Sequence, residues 1–256
     1  MKLLLFTKKN PAYLGFIEEC KKTFDDIILV TGLKDDKDFA GIKTKYHHFR
    51  KSEKYKEFLS EVIDFSPDLV ISFCYNRVIQ TEFLRMTEYA INFHGSLLPN
   101  YRGSHALNWQ ILNGEKIGGV TIHRLTDKID VGEIYLQESF EILQEDDANK
   151  VLEKIVNVSV ALLEEFYNNM VTEKIITKKQ KLTGKEFFCR KRVFKDGEIN
   201  ANMSVKQVVN LSRALAHPWP GVYYYKEENK VLFNHVLSKL EAEKILTELK
   251  KYKEKK

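Results

Sequence analysis

The first hundred residues alternate short apolar runs with stretches of helical periodicity, and this alternation constrains the fold more than any other feature of the sequence. The apolar runs predict strands, and apolar residues at i, i+3, i+4 and i+7 between them predict amphipathic helices. The run at residues 68–73 is typical of a strand buried on both faces of a parallel sheet. We therefore expect an α/β fold, an open, mostly parallel twisted sheet with helices on both faces. The predicted strands cover residues 3–6, 27–30, 68–73 and 90–93, and the predicted helices cover residues 13–24, 55–63 and 81–86.

The second half of the chain carries further predicted strands, a long helix and a smaller C-terminal region. The strands lie at residues 118–125 and 134–140, and the long helix begins near Asp147. The composition becomes rich in Lys and Thr over residues 170–183, which indicates a connector. We therefore expect a large N-terminal domain over residues 1–180 and a small α+β region over residues 181–256. The small region is expected to hold a helix at residues 205–215, a hairpin at residues 222–233 and a frayed Lys-rich helix or tail after residue 249.

Composition and charge exclude several classes of protein. The 41 basic and 36 acidic residues are interleaved, so the net charge of +5 indicates a solvated Lys-rich surface rather than a nucleic-acid site. The three cysteines are far apart and predict neither a disulfide framework nor a zinc site, and Cys20 and Cys74 are expected in the core. No apolar stretch approaches the roughly 18 residues of a membrane span, and the apolar start is too short for a signal peptide. We expect a cytoplasmic protein with no membrane or nucleic-acid partner.

Polar residues that could take part in catalysis concentrate at the end of one predicted strand. Asn92 and His94 flank Phe93, and since side chains alternate along a strand, both point to the same face. The carboxyl ends of strands are where open α/β sheets place ligands. A turn-rich loop follows at residues 95–103, and Asp130 lies in a second loop at residues 126–132. By spacing alone, a histidine at a strand end more often satisfies a turn than performs catalysis.

A longer ordered motif changes that interpretation. Residues 92–103 read NFHGSLLPNYRG and are followed by Asn108-Trp109, NGE at 113–115, GVTIH at 119–123 and DVGEI at 130–134. Over residues 66–140 the chain resembles the formyltransferases that use 10-formyltetrahydrofolate. This family includes methionyl-tRNA formyltransferase, glycinamide ribonucleotide transformylase and the sugar-nucleotide N-formyltransferases. His-Pro-Trp-Pro-Gly at 217–221 adds a weaker match to the tRNA and sugar branches.

The resemblance implies a Rossmann-like catalytic domain and a catalytic set of Asn92, His94 and Asp130, with no metal. The reaction would be the attack of a neutral amine on a formyl carbon. The Asn92 amide and a protonated His94 would stabilise the oxyanion. Asp130 would raise the pKa of His94, which could then act as a general acid toward the departing folate nitrogen.

The resemblance also implies where the cofactor, 10-formyltetrahydrofolate, binds. The segment after the strand at 68–73 would line the pterin site, and the loop before Asp130 would hold the pterin through its backbone. Some sugar-modifying relatives carry an arginine where this chain has Ser104, so Arg102 is a candidate substitute for that contact. The cofactor-binding candidates are Arg77, Val78, Ile79, Thr126, Asp127, Lys128, Ile129 and Asp130.

Several further polar and aromatic residues are candidates for substrate binding, each with a structural alternative. Cations on Arg190 and Arg192 suit a nucleotide diphosphate, but a solvated strand edge is equally consistent with them. Trp219 could stack on a base or pack as a core corner, and His105 could face the substrate or cap a loop. The candidates are Ser96, Arg102, His105, Arg190, Arg192 and Trp219. His123 is expected to be structural, and His47-His48 to lie on the surface.

Chain length discriminates among branches of the resembled family. Only a short stretch follows Gly221, which leaves no room for the tRNA-gripping barrel of the tRNA branch. The motif at 94–99 looks closest to enzymes that formylate 4-amino sugars on a nucleotide. We therefore expect a sugar-nucleotide N-formyltransferase acting on a dTDP- or UDP-linked amino sugar, with dTDP-4-amino-4,6-dideoxyglucose as the best guess, for lipopolysaccharide O-antigen synthesis. The alternatives are a compact methionyl-tRNA formyltransferase and a folate-binding or 10-formyltetrahydrofolate hydrolase protein. A homodimer formed through the C-terminal region is also expected.

Overall fold

The structure is a computed structural model that describes residues 1–32, 39–42, 44–46 and 52–254, so the histidines at 47 and 48 lie outside the described residues. The strands are β1 (Lys2–Phe6), β2 (Asp26–Thr31), β3 (Thr44–Tyr46), β4 (Leu69–Phe73), β5 (Tyr89–His94), β6 (Arg102–Gly103), β7 (Ile117–Arg124), β8 (Ile134–Glu141), β9 (Phe188–Cys189), β10 (Val222–Lys226) and β11 (Asn229–Phe233). The helices are α1 (Leu14–Thr23), α2 (Glu53–Phe65), α3 (Thr81–Leu84), α4 (Ala106–Asn113), α5 (Ala148–Val171), α6 (Val205–Ala214) and α7 (Lys239–Glu254), with 3-10 turns at Pro11–Tyr13 and Phe194–Gly197.

A seven-stranded sheet in the order β3-β2-β1-β4-β5-β7-β8 forms the framework. The pairs β2–β3, β1–β2, β1–β4 and β4–β5 are parallel, whereas β5 and β7 are antiparallel. The predicted fold class, an open and mostly parallel sheet with helices, is confirmed. In the β5–β7 pair, Asn92 lies opposite His123 and His94 lies opposite Thr121.

The apolar runs of the sequence become the buried strands. The five residues of β4 are all buried, as its unbroken apolar run predicts for a central strand. Helix α2 begins where the Ser52 hydroxyl accepts a hydrogen bond from the Tyr55 N–H. It ends at Ser66, which adopts a left-handed conformation (φ 51°) just before Pro67. Its buried face, which includes Phe58 and Val62, packs in one core cluster with residues of β1 and β4.

The chain divides into two compact units, each described separately. Unit 1 comprises Met1–Arg102, Gly119–Ser139 and Ile155–Phe187, and unit 2 comprises Gly103–Gly118, Phe140–Lys154 and Phe188–Lys256. Unit 2 therefore includes two segments that precede residue 181. The division of the sequence at residue 180 stays a prediction.

Unit 2 has its own core and its own buried polar ties. Helices α6 and α7 and strands β10 and β11 contribute to one cluster of buried apolar residues. The Asn108 amide donates to the Ala214 carbonyl (2.6 Å), which ties α4 to α6. The buried Arg213 donates to the carbonyls of Leu143 (2.6 Å) and Asp146 (2.8 Å). Because buried polar groups need such partners, these bonds fix the 143–146 loop on α6.

Some elements differ from the sequence-based expectation. Helix α4 and the short strand β3 were not predicted, and the Lys-rich end is an ordered helix, α7, as far as Glu254. The predicted hairpin is confirmed as the antiparallel pair β10–β11. All three cysteines are free, and Cys20 is buried as predicted, whereas Cys74 is only half-buried. Within the described part of the chain, no helix combines the length and apolarity needed to cross a bilayer.

Candidate active site

The candidate catalytic side chains of unit 1 stand on two paired strands. Asn92 and His94 point to one face of β5, and their partners in the register, His123 and Thr121, belong to β7. Directly paired residues point to the same face of a sheet, which brings these four side chains together. The Asn92 Nδ2 atom lies 3.1 Å from His123 Nε2.

Hydrogen bonds to carbonyl groups fix the protonation pattern of both imidazole rings. His94 Nε2 lies 2.7 Å from the Tyr101 carbonyl oxygen, and His123 Nδ1 lies 2.9 Å from that of Arg124. Because a carbonyl oxygen can only accept, each of these nitrogens carries the proton. In the neutral rings, His94 Nδ1 and His123 Nε2 are therefore unprotonated, and His123 Nε2 accepts a hydrogen bond from the Asn92 amide.

Asp130 completes the cluster from the loop after β7. Its Oδ2 atom lies 3.5 Å from His94 Nδ1, and its Oδ1 atom lies 3.5 Å from His123 Nε2. The side chains of His94, His123 and Asp130 are only 8%, 2% and 13% exposed. The structure thus brings Asn92, His94 and Asp130 together, as the sequence predicts, and inserts His123 between Asn92 and Asp130.

His123 is the residue of this cluster that the sequence reasoning missed. Its strand position favoured a purely structural role, but the structure places its ring in contact with Asn92 and near Asp130. The alternation of β7 alone carries no hint of this. The signal would have been the antiparallel pairing of β5 with β7, which puts His123 opposite Asn92.

Burial, rather than the nearby carboxylate, dominates the electrostatics of His94. Desolvation lowers the pKa of His94 below its ordinary value of 6.5, and the charge of His123 lowers it further. Asp130 and the Tyr101 carbonyl raise the pKa of His94, but their effect is smaller. Asp130 raises the pKa of His94, as expected, but burial outweighs this effect, so the expectation of a protonated His94 is wrong. At neutral pH the ring is predominantly neutral.

A buried threonine holds the loop that follows His94. The Thr121 hydroxyl donates to the Ser96 carbonyl (2.6 Å) and accepts hydrogen bonds from the Leu98 N–H (3.1 Å) and the Gln137 amide (2.9 Å). This loop leads to the Tyr101 carbonyl that orients His94. Ser96, a candidate for substrate binding, is buried, and its hydroxyl donates to the carbonyl of Asn100 (2.8 Å).

The loop that carries Asp130 is tightly folded. Asp130 has a left-handed backbone (φ 51°), a conformation that non-glycine residues adopt rarely. A Cβ atom on Gly132 would lie 1.9 Å from the Arg124 carbonyl oxygen, so only glycine fits there. Upstream, the Thr126 hydroxyl donates to the Lys128 carbonyl (3.0 Å) and accepts from the Lys128 N–H (3.3 Å). The side chains of the candidates Asp127, Lys128 and Ile129 are exposed.

The cofactor candidates after β4 have three different environments. The Arg77 guanidinium donates to the Gly32 carbonyl (2.6 Å) at the end of β2, and Ile79 packs in the core of unit 1. Val78 is 81% exposed, and Ile129, on the Asp130 loop, is 62% exposed.

The candidates for nucleotide binding in unit 2 surround a tryptophan. The guanidinium carbons of Arg190 and Arg192 lie 5.2 Å and 5.1 Å from the Trp109 ring centroid. The Trp109 indole N–H donates to the Arg190 carbonyl (3.0 Å), and the Arg190 guanidinium forms an ion pair with Asp196. Cation–π contacts of this geometry orient guanidinium groups. Trp109 is a second residue that the sequence reasoning did not single out as a site residue.

The remaining substrate candidates lie as follows. His105 precedes α4 with a left-handed backbone, and its Nδ1 accepts a long hydrogen bond (3.4 Å) from the Arg192 N–H. Trp219 packs against the core of unit 2, in agreement with its alternative as a core corner. The Nε atoms of Arg102 and Arg192 are buried and have no hydrogen-bond partner among the described residues.

The described residues contain no cluster of three or more His, Cys, Asp or Glu side chains that could hold a metal ion. The His94–Asp130–His123 cluster provides proton-exchanging groups and the Asn92 amide provides a donor. This arrangement suits stabilisation of an oxyanion combined with proton transfer.

Comparison with known proteins agrees with this chemistry. Residues 19–166 match the model of the formyl transferase family, and residues 194–246 match the formyl transferase C-terminal domain. The bifunctional polymyxin resistance protein ArnA of Wigglesworthia glossinidia brevipalpis is 32% identical over 246 residues, which are 91% of this chain and 37% of that protein. The chain therefore spans little more than a third of that relative's length.

Solved structures show the same fold. A 4-N formyltransferase from Francisella tularensis matches with a TM-score of 0.74 at 22% identity, over 93% of this chain and 98% of that one. An N-formyltransferase from Helicobacter canadensis, in complex with folinic acid and dTDP-3-aminofucose, matches with a TM-score of 0.67 at 21% identity, over 90% and 86% of the two chains. The resemblance carried by residues 92–134 is confirmed by the family model over residues 19–166, and the chain belongs to the formyl transferase family.

Proposed function

We propose that this protein transfers a formyl group from 10-formyltetrahydrofolate to the amino group of a nucleotide-linked amino sugar. The best candidate acceptor is dTDP-4-amino-4,6-dideoxyglucose, and the product would serve surface polysaccharide synthesis. The observation that carries the proposal is the convergence of Asn92, Asp130 and the buried His94 in one cluster of a formyl transferase family member. When bound, the folate would supply an activated formyl carbon that a neutral amine can attack.

Asn92 is placed to stabilise the negative charge that develops on the formyl oxygen. Its amide carries two N–H groups, and His123 Nε2 accepts one of them at 3.1 Å. This bond fixes the plane of the amide, so that the second N–H can be aimed at the oxyanion. A preorganised donor of this kind contributes about 10²- to 10³-fold to a rate.

His94 begins the reaction as a neutral base. Its Nδ1 atom accepts the proton that the attacking amine loses, and the Asp130 carboxylate, 3.5 Å away, stabilises the imidazolium that forms. The Nε2–H remains bonded to the Tyr101 carbonyl, which keeps the ring in one orientation. His94 then holds a proton at Nδ1 that it can release to the leaving nitrogen of the donor. His94 would thus act first as a general base and then as the general acid that the family resemblance implies.

The residues of unit 1 fit a flat heterocyclic donor. The exposed Val78 and Ile129 side chains offer apolar surface, and the exposed Asp127 and Lys128 side chains of the same loop offer polar groups. A pterin has apolar faces and a polar edge, which these two kinds of surface suit. The folinic acid bound to the Helicobacter canadensis protein supports a folate donor.

The residues of unit 2 fit a nucleotide acceptor. Trp109 offers an aromatic face, and Arg190 and Arg192 offer cations for a diphosphate. The Francisella tularensis and Helicobacter canadensis proteins are named as N-formyltransferases, and the second was solved with a dTDP-linked amino sugar. These names support an amino sugar on a nucleotide as the acceptor.

The test is an incubation of the protein with 10-formyltetrahydrofolate and a panel of dTDP- and UDP-linked amino sugars, read by mass spectrometry. We expect a dTDP-linked 4-amino sugar to gain one formyl group. His94→Asn serves as the matched control: with its fold checked by circular dichroism, it is expected to form no product above the uncatalysed rate.

Other outcomes would overturn the proposal in distinct ways. Release of formate at the same rate with and without an amine would indicate a hydrolase, and folate binding without turnover would indicate a binding module. Formylation of methionyl-tRNA instead, with binding that weakens steeply as salt rises, would assign the tRNA reaction.

A further inference from the structure

The connector after α5 is bound to the edge of the sheet. The Ile134 N–H donates to the Lys178 carbonyl, and the Lys178 N–H donates to the Ile134 carbonyl, both at 2.8 Å. Strand β8 is the last strand in the sheet order, so this exchange fastens the connector along an edge strand. The composition of residues 170–183 had indicated only a linker. The pairing of Lys178 with Ile134 instead places Gln180 next to the loop that carries Asp130.

The Gln180 side chain donates hydrogen bonds to two carbonyl groups of that loop. Its Nε2 atom donates to the Asp130 carbonyl at 2.9 Å and to the Gly132 carbonyl at 2.8 Å. Because both partners can only accept, the NH2 end of the amide must face them. The Oε1 atom is buried and has no hydrogen-bond partner among the described residues. The Gln180 amide thus makes both bonds to the loop while its own oxygen is left unsatisfied, which is unfavourable for a buried acceptor.

Two features of Asp130 make the position of its carboxylate sensitive to the backbone of the loop. The backbone of Asp130 is left-handed, with φ 51°, which is unfavourable for a residue with a side chain. Its carboxylate oxygens lie 3.5 Å from the nearest imidazole nitrogens, too far for strong hydrogen bonds. The position of the carboxylate is therefore sensitive to the position of its backbone, which Gln180 holds on both sides of Val131.

We propose that Gln180 is a positioning residue, which acts on the reaction through Asp130 by clamping the carbonyl groups of Asp130 and Gly132. The proposal rests on the proposed function. The hydrogen bonds described for Gln180 reach the loop of Asp130 and not His94 or Asn92, so we expect its effect on turnover to pass through the carboxylate.

The kinetic test compares Gln180→Met, which keeps the length of the side chain and removes both donors, with Lys181→Met at an exposed neighbouring position. We expect Gln180→Met to lower kcat by about tenfold with a smaller change in KM, because a small misplacement of a catalytic group is costly. Lys181→Met should retain the wild-type kcat. If Gln180→Met does not fold, as judged by its thermal unfolding, Gln180→Ala takes its place.

A double-mutant cycle separates positioning from a general structural effect. In an Asp130→Asn background, Gln180→Met should lower kcat by less than about twofold, because coupled residues are not additive. The same tenfold loss in both backgrounds would overturn the proposal.

An NMR titration of the His94 ring in the ligand-free protein gives a readout that needs no turnover. The titratable groups described against this ring are Asp130, which raises its pKa, and His123, which lowers it, and the Tyr101 carbonyl also raises it. If Gln180→Met displaces Asp130, the titration of His94 should move to lower pH, in the same direction as in Asp130→Asn. An unchanged titration would overturn the positioning role. A wild-type protein without transferase activity would overturn the proposed function, and the titration would still decide the role of Gln180.

Discussion

The catalytic cluster of unit 1 and the cluster of Trp109, Arg190 and Arg192 in unit 2 differ in how their side chains are held and how far they are exposed. In unit 1, Asn92, His94 and His123 stand on adjacent strands, and the two histidine side chains are less than a tenth exposed. In unit 2, the side chain of Arg190 is 57% exposed and its guanidinium is held by an ion pair with Asp196. Strands hold side chains more rigidly than loops do, and burial strengthens their electrostatic interactions.

Because of this difference, the two regions should contribute to different kinetic constants. A buried, strand-mounted cluster suits the transfer of protons and the stabilisation of charge in a transition state. An exposed cationic cluster suits the recognition of a charged substrate, whose contribution appears in KM. Changes in unit 1 should therefore affect kcat, and changes at the Arg190 side chain should affect KM.

The largest effects should come from the catalytic side chains of unit 1. Asn92→Ala, His94→Ala and Asp130→Ala should each lower kcat by at least about 10²-fold, the scale for loss of an oxyanion donor or a general base. Steady-state kinetics with saturating donor and acceptor measures this, and circular dichroism confirms that the fold is retained. Near-normal turnover in His94→Ala would remove it from the proton transfer.

A smaller effect, on stability, should follow from Thr121→Val. The change preserves shape but leaves the Leu98 N–H without its acceptor and the Ser96 carbonyl without its donor, while the Gln137 amide keeps its bond to the Leu98 carbonyl. Buried donors that lose a partner cost about 1–3 kcal/mol, so the free energy of unfolding should fall by that amount. Urea denaturation measures the change, and Thr121→Ser, which keeps the hydroxyl, is the control. Equal stability of the two variants would show that Thr121 does not hold the loop.

The smallest effect should come from the exposed cation of unit 2. Arg190→Met should raise KM for the nucleotide amino sugar by about tenfold, with kcat within about twofold. Lys195→Met removes a cation from the neighbouring 3-10 turn and should leave both constants unchanged. A fall in kcat for Arg190→Met with an unchanged KM would contradict the expectation that Arg190 contributes to KM and the unit 1 cluster to kcat.

Local patterns predicted most of the fold. The unbroken apolar runs located β1 and β4, which are buried strands, and the helical spacing located α2, which buries one apolar face. Helix α4 was missed because it buries polar residues as well, among them Asn108, whose partner is the distant Ala214. No local pattern reveals a contact of that kind.

The candidate site was predicted in its membership but not in its electrostatics. The motif around His94 named three members of the cluster, while His123 required the pairing of two strands that the sequence does not specify. The sign of the pKa shift of His94 depends on how deeply its ring is buried, and the presence of Asp130 nearby suggested the opposite direction. Gln180 was missed because its role depends on a contact made across 50 residues of sequence.

The most direct test of a neutral base at the centre of this site is the NMR titration of His94 in the wild-type protein and in Asp130→Asn, with the signal assigned from His94→Asn. Burial should place the wild-type midpoint below the ordinary value of 6.5, and loss of the Asp130 charge should move it lower still. A wild-type midpoint at or above 6.5, or a titration that Asp130→Asn leaves in place, would contradict a neutral His94 acting beside the Asp130 carboxylate.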